Sequence, residues 1–198
     1  MNRWKFGLAV VAAAVLAVAL VLAPDQGDGD TATPDEQFAE SICAAATPYA
    51  DDLLDDYVGV VHTRATPGKE GWEWLLFRAE SARFTARAYG RKVRQLDVPD
   101  TPAGRQVERK RLLDFHSRRP AEILSDSVKW IRSIPPRKMT LVQNIRGLNR
   151  LQDDLTWAVS AMAPGLFVVP NLVDGLEDEF DGAEACKRFD EVLAKDRT

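Results

Sequence analysis

The residues best suited to chemistry in this sequence are four arginines near the middle of the chain. Their spacing of three and four residues places them on one side of a helix. Planar guanidinium groups in such a row suit the binding of phosphate or carboxylate groups. This arginine ridge therefore predicts a binding surface for an anionic partner, with Arg109 and Arg111 as neighbours. The members of the ridge are Arg83, Arg87, Arg91 and Arg94.

Paired aspartates form a second group that could do chemistry. Asp51 and Asp55, and likewise Asp52 and Asp56, stand four residues apart and share a helix face, and His62 follows them. Paired carboxylates can bind a metal ion or act in acid–base catalysis. The cluster therefore raises a metal-dependent or hydrolytic enzyme as an alternative function. The other interpretations are a solvated acidic face and an ion-pair partner for the arginine ridge.

No established catalytic motif accompanies these groups. The sequence contains no G-x-S-x-G, H-E-x-x-H, G-x-G-x-x-G or Walker-type loop. His116 has no His or Glu three or four residues away, so we expect an exposed or hydrogen-bonded structural histidine. We predict no catalytic residue, no metal site and no cofactor.

The N-terminal segment is typical of export. Phe6 to Pro24 is a run of nineteen residues without a charged side chain, preceded by Arg3 and Lys5 and followed by aspartates. As a helix, the run from Phe6 to Ala23 would span about 27 Å, which is enough for a thin hydrocarbon core. Proline after Ala23 disfavours cleavage, so we favour a retained membrane anchor, with a cleaved signal peptide as the alternative.

This segment sets the domain organisation. Residues 1–24 are predicted to be a signal-anchor or signal peptide, and residues 25–33, rich in Gly, Asp and Thr, a flexible spacer. Residues 34–198 are then an extracytoplasmic domain of a size that supports one hydrophobic core. The expected location is the outer side of the cell membrane, or the exterior if the leader is cleaved.

The two cysteines agree with an oxidising compartment. Cys43 and Cys186 are the only cysteines, and an even number outside the cytoplasm predicts a disulfide bond. Closing so long a loop would stabilise the fold by about 4–5 kcal/mol. Two independently buried thiols are the alternative.

Charge is distributed unevenly along the chain. Residues 78–138 hold 16 Lys and Arg against 7 Asp and Glu, whereas residues 1–77 hold 4 against 12 and residues 139–198 hold 6 against 11. The basic middle could neutralise the acidic ends within the fold, or it could face an anionic partner such as lipid headgroups or a wall polymer. Export and the overall charge of −4 argue against a nucleic-acid partner.

Hydrophobic periodicity predicts an all-α domain. Nearly every long segment repeats its apolar residues every three or four positions, which favours an antiparallel bundle of five or six helices. Thr33 and Glu36 form a predicted capping box at the first helix start, and a bend is expected near Gly182. Leu166 to Val169 is the one strand-like stretch. Breaks are predicted near Pro48, Thr66, Pro102, Pro120, Pro135 and Pro164.

Several aromatic residues lie opposite the main apolar stripes of their helices. Trp74, Phe77 and Phe84 do so in the helix after Thr66, which we therefore expect to be central and packed on both sides. Trp157 lies among charged residues, and we expect it to pack against a second neighbour. Exposure of Trp157 would instead indicate an anchor for a partner.

The sequence therefore favours a non-enzymatic binding or scaffolding module, tethered to the membrane by its N-terminal helix or secreted. Its expected partner is a protein or a polyanion. A structural subunit of an envelope complex is a further alternative, for which exposure of Trp157 would be the marker.

Overall fold

The computed structural model of the protein describes residues 32–163, 173 and 175–195. Within these residues the chain forms a bundle of seven α helices and contains no strand, which confirms the all-α prediction and exceeds the expected five or six helices. The antiparallel order stays a prediction. The helices are α1 (Pro34–Val61), α2 (Gly68–Val93), α3 (Pro102–Arg109), α4 (Leu112–Arg132), α5 (Leu141–Ser160), α6 (Glu177–Gly182) and α7 (Glu184–Ala194), with a 3-10 turn at Pro136–Lys138 before α5.

Some predicted features lie outside the described residues. These are the signal-anchor or signal peptide at residues 1–24, nearly all of the spacer at residues 25–33, and the strand-like stretch from Leu166 to Val169. The described residues from Thr33 onward belong to one compact unit. None of the helices in the described ranges is both long and apolar enough to cross a membrane.

Threonine caps fix three helix starts. The Thr33 hydroxyl accepts a hydrogen bond from the Glu36 N–H, and the Glu36 carboxylate accepts one from the Thr33 N–H, which confirms the predicted capping box. Thr140 and Gln143 form a second box at the start of α5, and Thr101 caps α3. These side chains satisfy backbone donors that have no partner in the first turn of a helix.

The predicted breaks at Pro48 and Pro120 are wrong. Pro48 lies inside α1 and Pro120 inside α4, and both helices continue through them. Each proline removes one backbone hydrogen bond, but buried residues before and after it hold both helix halves against the core. Near Pro120, the break falls instead at Arg111, which has a left-handed backbone conformation with φ of 51° and separates the short α3 from α4.

Helix α2 is central, as its sequence predicts, but the second of its two apolar sides is covered only in part. It packs against α1, α4 and α5, and its main stripe, including Leu75, Tyr89 and Val93, is fully buried. The opposite side is different, because Phe77 and Phe84 are 66% and 67% exposed. The prediction that this side also packs is therefore wrong for Phe77 and Phe84, whereas Trp74 is partly buried against the main core, as predicted.

Small residues let α2 approach its neighbours closely. Ala79, Ala82, Ala86 and Gly90 lie along one stripe of α2, and we call them the small-residue seam. A Cβ atom at Gly90 would lie 1.9 Å from the carbonyl oxygen of Ser117 in α4. The backbones of α2 and α4 thus meet at Gly90, and only glycine leaves room for that contact.

A disulfide joins the first described helix to the last. Cys43 of α1 and Cys186 of α7 pair with a Cα–Cα distance of 4.9 Å across a sequence separation of 143 residues. This agrees with the predicted pairing of the two ends of the domain. The bond lies in a smaller hydrophobic cluster that includes Phe38, Ile42 and Phe180.

Gly90→Ala tests the contact between α2 and α4. The added methyl group cannot be accommodated without moving one backbone, so we expect the free energy of unfolding to fall by about 1–3 kcal/mol. Urea titration followed by circular dichroism measures this change.

Gly59→Ala is the matched control. A Cβ at Gly59 would meet the end of the Arg78 side chain at an ordinary 3.7 Å, and alanine favours the helix by about 0.5–1 kcal/mol. If both variants are as stable as the original protein, or more so, the close contact at Gly90 is absent.

Candidate functional site

An open cleft of about 410 Å³ lies between α2 and α4 and is dominated by arginine. Three of the four predicted ridge residues line it: Arg87 and Arg91 on α2, and Arg94 directly after α2. The helix α4 contributes Arg118. The predicted Arg83 does not line this cleft. We call it the arginine cleft, and its other lining residues are Ser117, Ala121, Glu122 and Ser125.

The spacing of residues on two helices builds this cleft. The arginines of the ridge recur every three or four positions, so they form one edge. On α4 the lining residues form two rows four apart, Ser117, Ala121 and Ser125 and beside them Arg118 and Glu122, which form the other edge. The contact of Gly90 with Ser117 brings the two edges together. Across the junction, Arg94 Nη1 donates a hydrogen bond of 3.2 Å to the Ser117 hydroxyl.

The cleft carries an excess of positive charge. Its four arginines face a single acid, Glu122, which gives a formal charge of +3. Within the described part of the chain, none of these arginines makes an ion pair. The Arg91 guanidinium instead lies 5.8 Å from the ring centre of Phe84. Arg118 Nε donates a hydrogen bond to the backbone carbonyl of Asp114. Exposed guanidinium groups in this arrangement can form paired hydrogen bonds with an anion.

The acidic residues of α1 have other partners. Asp56 forms an ion pair of 3.0 Å with Arg78, and Asp51 forms one of 3.1 Å with Lys195. Burial raises the pKa of the Asp56 carboxyl despite the opposing effect of Arg78. Asp51 and Asp56 therefore pair with Lys195 and Arg78 rather than with the arginine ridge.

The aspartate cluster is also not arranged as a metal centre. Asp51 and Asp56 pair with basic residues on different helices, and His62 is exposed at the end of α1. Among the described residues, no group of three or more His, Cys, Asp or Glu side chains is gathered closely enough to hold a metal ion.

The two further arginines suggested as neighbours of the ridge lie elsewhere. Arg109 lines a separate shallow depression on α3 together with Arg105. Arg111 occupies the turn between α3 and α4 and is not among the residues lining the arginine cleft. The arginine that sequence reasoning missed is Arg118, which stands beside Arg119 in a basic stretch of α4.

A second cavity, of about 550 Å³, lies between α4 and α5. Trp157 stands in it with 67% of its surface exposed, so the expectation that Trp157 packs against a neighbour is wrong. Phe115 of α4 is half exposed in the same cavity. We call this cavity the aromatic groove, and its charged lining residues are Arg119, Asp126, Arg150 and Asp154.

The carboxylates of the aromatic groove differ in environment. Asp154 accepts a hydrogen bond of 2.7 Å from the Ser127 hydroxyl, and burial raises the pKa of its carboxyl. Asp126 is exposed, and its hydrogen bond with Lys129 lowers the pKa of its carboxyl. With two arginines against two aspartates, the groove carries no formal net charge.

His116 is a buried structural residue, as one of the two sequence interpretations expects. It is 1% exposed, and it forms a hydrogen bond with the backbone of Ala161 at the end of α5. Burial disfavours the charged imidazolium and lowers the pKa of His116 to about 4.

Comparison with known proteins adds no assignment. No protein-family model, no curated protein and no solved structure matches this chain.

The buried imidazole predicts a pH dependence of stability. Because the pKa of His116 is about 4 when folded and 6.5 in its ordinary state, the unfolded chain takes up the proton first as pH falls. We expect His116 to reduce the free energy of unfolding by about 3 kcal/mol between pH 6.5 and pH 4. Urea titrations across this range measure the slope.

His116→Gln isolates this contribution. Glutamine does not titrate and can keep a hydrogen bond to the backbone, so the variant should lose that part of the slope. The raised pKa values of the Asp56 and Asp154 carboxyls act in the opposite direction and are common to both proteins. Identical slopes for the two proteins would contradict the burial of a neutral imidazole.

Proposed function

We propose that this chain is a non-enzymatic binding module that acts outside the cytoplasmic membrane, and that its arginine cleft engages an anionic partner. The observation that carries this proposal is the convergence of four arginines, none of which forms an ion pair among the described residues although Glu122 also lines the cleft. They are Arg87, Arg91, Arg94 and Arg118. Clustered guanidinium groups are stabilised when an anion occupies the space between them.

The donors that an anion would meet in the cleft are its guanidinium groups. The two serine hydroxyls already donate to backbone carbonyls, Ser117 to Asp114 and Ser125 to Ala121. The cleft is open and shallow, which fits a partner that remains partly solvated, such as a polymer or a headgroup. A cofactor or drug-sized ligand usually occupies a more enclosed and more apolar cavity.

The proposed location rests on the leader and on the cysteines. The apolar run with its basic flank is typical of export, and the pairing of Cys43 with Cys186 is compatible with an oxidising compartment. A retained leader would tether the module to the membrane, and a cleaved leader would release it.

Two other functions differ in how far the structure supports them. A metal-dependent or hydrolytic enzyme gains no support from Asp51 and Asp56, because each is engaged in an ion pair. A structural subunit of an envelope complex is the second candidate, because Trp157 has the exposure expected of an anchor for a partner.

Charge reversal in the cleft tests the principal proposal. We expect the full chain, in uncharged detergent micelles, to bind long-chain inorganic polyphosphate, and the double variant Arg87→Glu/Arg91→Glu to bind it at least about 100-fold more weakly. Removing these contacts should also flatten the dependence of affinity on salt concentration. Isothermal titration calorimetry at several salt concentrations measures both effects.

The control is Arg137→Glu/Lys138→Glu, which changes the net charge by the same amount at two exposed residues outside the cleft. It should retain most of the affinity. Equal losses in both double variants would show a nonspecific charge effect and would overturn the assignment of the cleft, as would a lack of binding by the original protein.

A further inference from the structure

The arginine cleft and the aromatic groove flank the same helix. On α4, Arg118 lines the cleft and the next residue, Arg119, lines the groove. Consecutive residues on a helix are separated by 100° around its axis, and the helix is about 10 Å wide with its side chains. A chain molecule crossing the exposed face of α4 can therefore occupy both cavities.

The two cavities differ in what they can bind. The arginine cleft has a formal charge of +3, whereas the aromatic groove is neutral overall and holds Trp157 and Phe115. Phosphate or sulfate groups of a partner would bind weakly in the groove, because the negative charges of Asp126 and Asp154 offset the positive charges of its two arginines. The groove therefore suits a part of the partner that is uncharged, ring-shaped and rich in hydroxyl groups.

A sugar ring has these properties. One face of the ring consists of C–H groups and can pack on an exposed indole, while its hydroxyl groups can pair with carboxylate and guanidinium groups around it. Trp157 offers the exposed ring, and Arg119, Arg150 and Asp126 stand around it with exposed polar ends.

We propose that the anionic partner is an acidic polysaccharide, which places its acid groups in the arginine cleft and packs a sugar ring on Trp157 in the aromatic groove. This inference rests on the proposed function, because it names the chemistry of the same partner. It adds a second contact site on the neighbouring face of α4, and it distinguishes a polysaccharide from a polyanion that lacks rings.

Two polyanion probes separate the contributions of the two cavities. A heparin-derived oligosaccharide carries both acid groups and sugar rings, whereas long-chain polyphosphate carries acid groups alone. In the full chain, Trp157→Ala should weaken binding of the oligosaccharide roughly 3- to 10-fold and leave the polyphosphate affinity unchanged within about twofold. Arg87→Glu/Arg91→Glu should weaken binding of both probes.

Phe77→Ala is the matched control, because Phe77 is as exposed as Trp157 and lines neither cavity. It should bind both probes as the original protein does.

If Trp157→Ala changes neither affinity, or weakens both to the same extent, the polysaccharide inference is overturned, and the exposed Trp157 is left to a protein partner. If the original protein binds the oligosaccharide no better than it binds polyphosphate and Trp157 has no effect, the inference fails while the proposed function stands. Failure to bind either probe would overturn both.

Discussion

The close contact between α2 and α4 at Gly90 is the constraint on which the arrangement of this protein depends. At this point a side chain on α2 would overlap the backbone of Ser117, so the two helices are as near as their backbones allow. The alanines of the small-residue seam extend the same small face along the buried stripe of α2. Close approach brings the arginines of α2 beside Arg118 of α4, even though like charges repel one another. Packing of the core thus holds together a set of charges that would separate in an isolated pair of helices.

The ion pairs elsewhere in the fold explain why the arginines of the cleft can still bind an anion. In α1, Asp56 pairs with Arg78, Asp51 with Lys195 and Glu40 with Arg188, so only the first of these pairs uses a basic residue from the middle of the chain. A second, smaller core cluster surrounds the disulfide between α1 and α7. The helices α6 and α7 are short, and short helices gain little stability by themselves. The disulfide bond from α7 to α1 therefore contributes more to holding α7 in position than it would if α7 were a longer helix.

Much of the fold can be predicted from the sequence because its determinants are local. The threonine caps at Thr33 and Thr101 and the apolar period of α5 depend on residues within a few turns of one another. Pro48 and Pro120 are different, because whether a helix survives an internal proline depends on packing by distant residues. The bend predicted near Gly182 matches the separation of α6 from α7 at Ala183.

The candidate site was only partly predictable for the same reason. Spacing on one helix identifies Arg87, Arg91 and Arg94, but the addition of Arg118 requires knowledge of how α4 lies against α2. The exposure of Trp157 likewise depends on the space that α4 leaves beside α5, which no periodicity reveals. Sequence patterns give the face of a helix on which a residue lies, and the packing of helices decides whether that face is covered.

The most direct test of this account is the polyphosphate affinity of folded Gly90→Ala protein. This variant alters no charge, so a weaker interaction can arise only from displacement of α2 relative to α4. The account predicts an affinity roughly fivefold or more below that of the original protein, while Gly59→Ala is unaffected. An unchanged affinity in folded Gly90→Ala protein would contradict the claim that this contact assembles the arginine cleft.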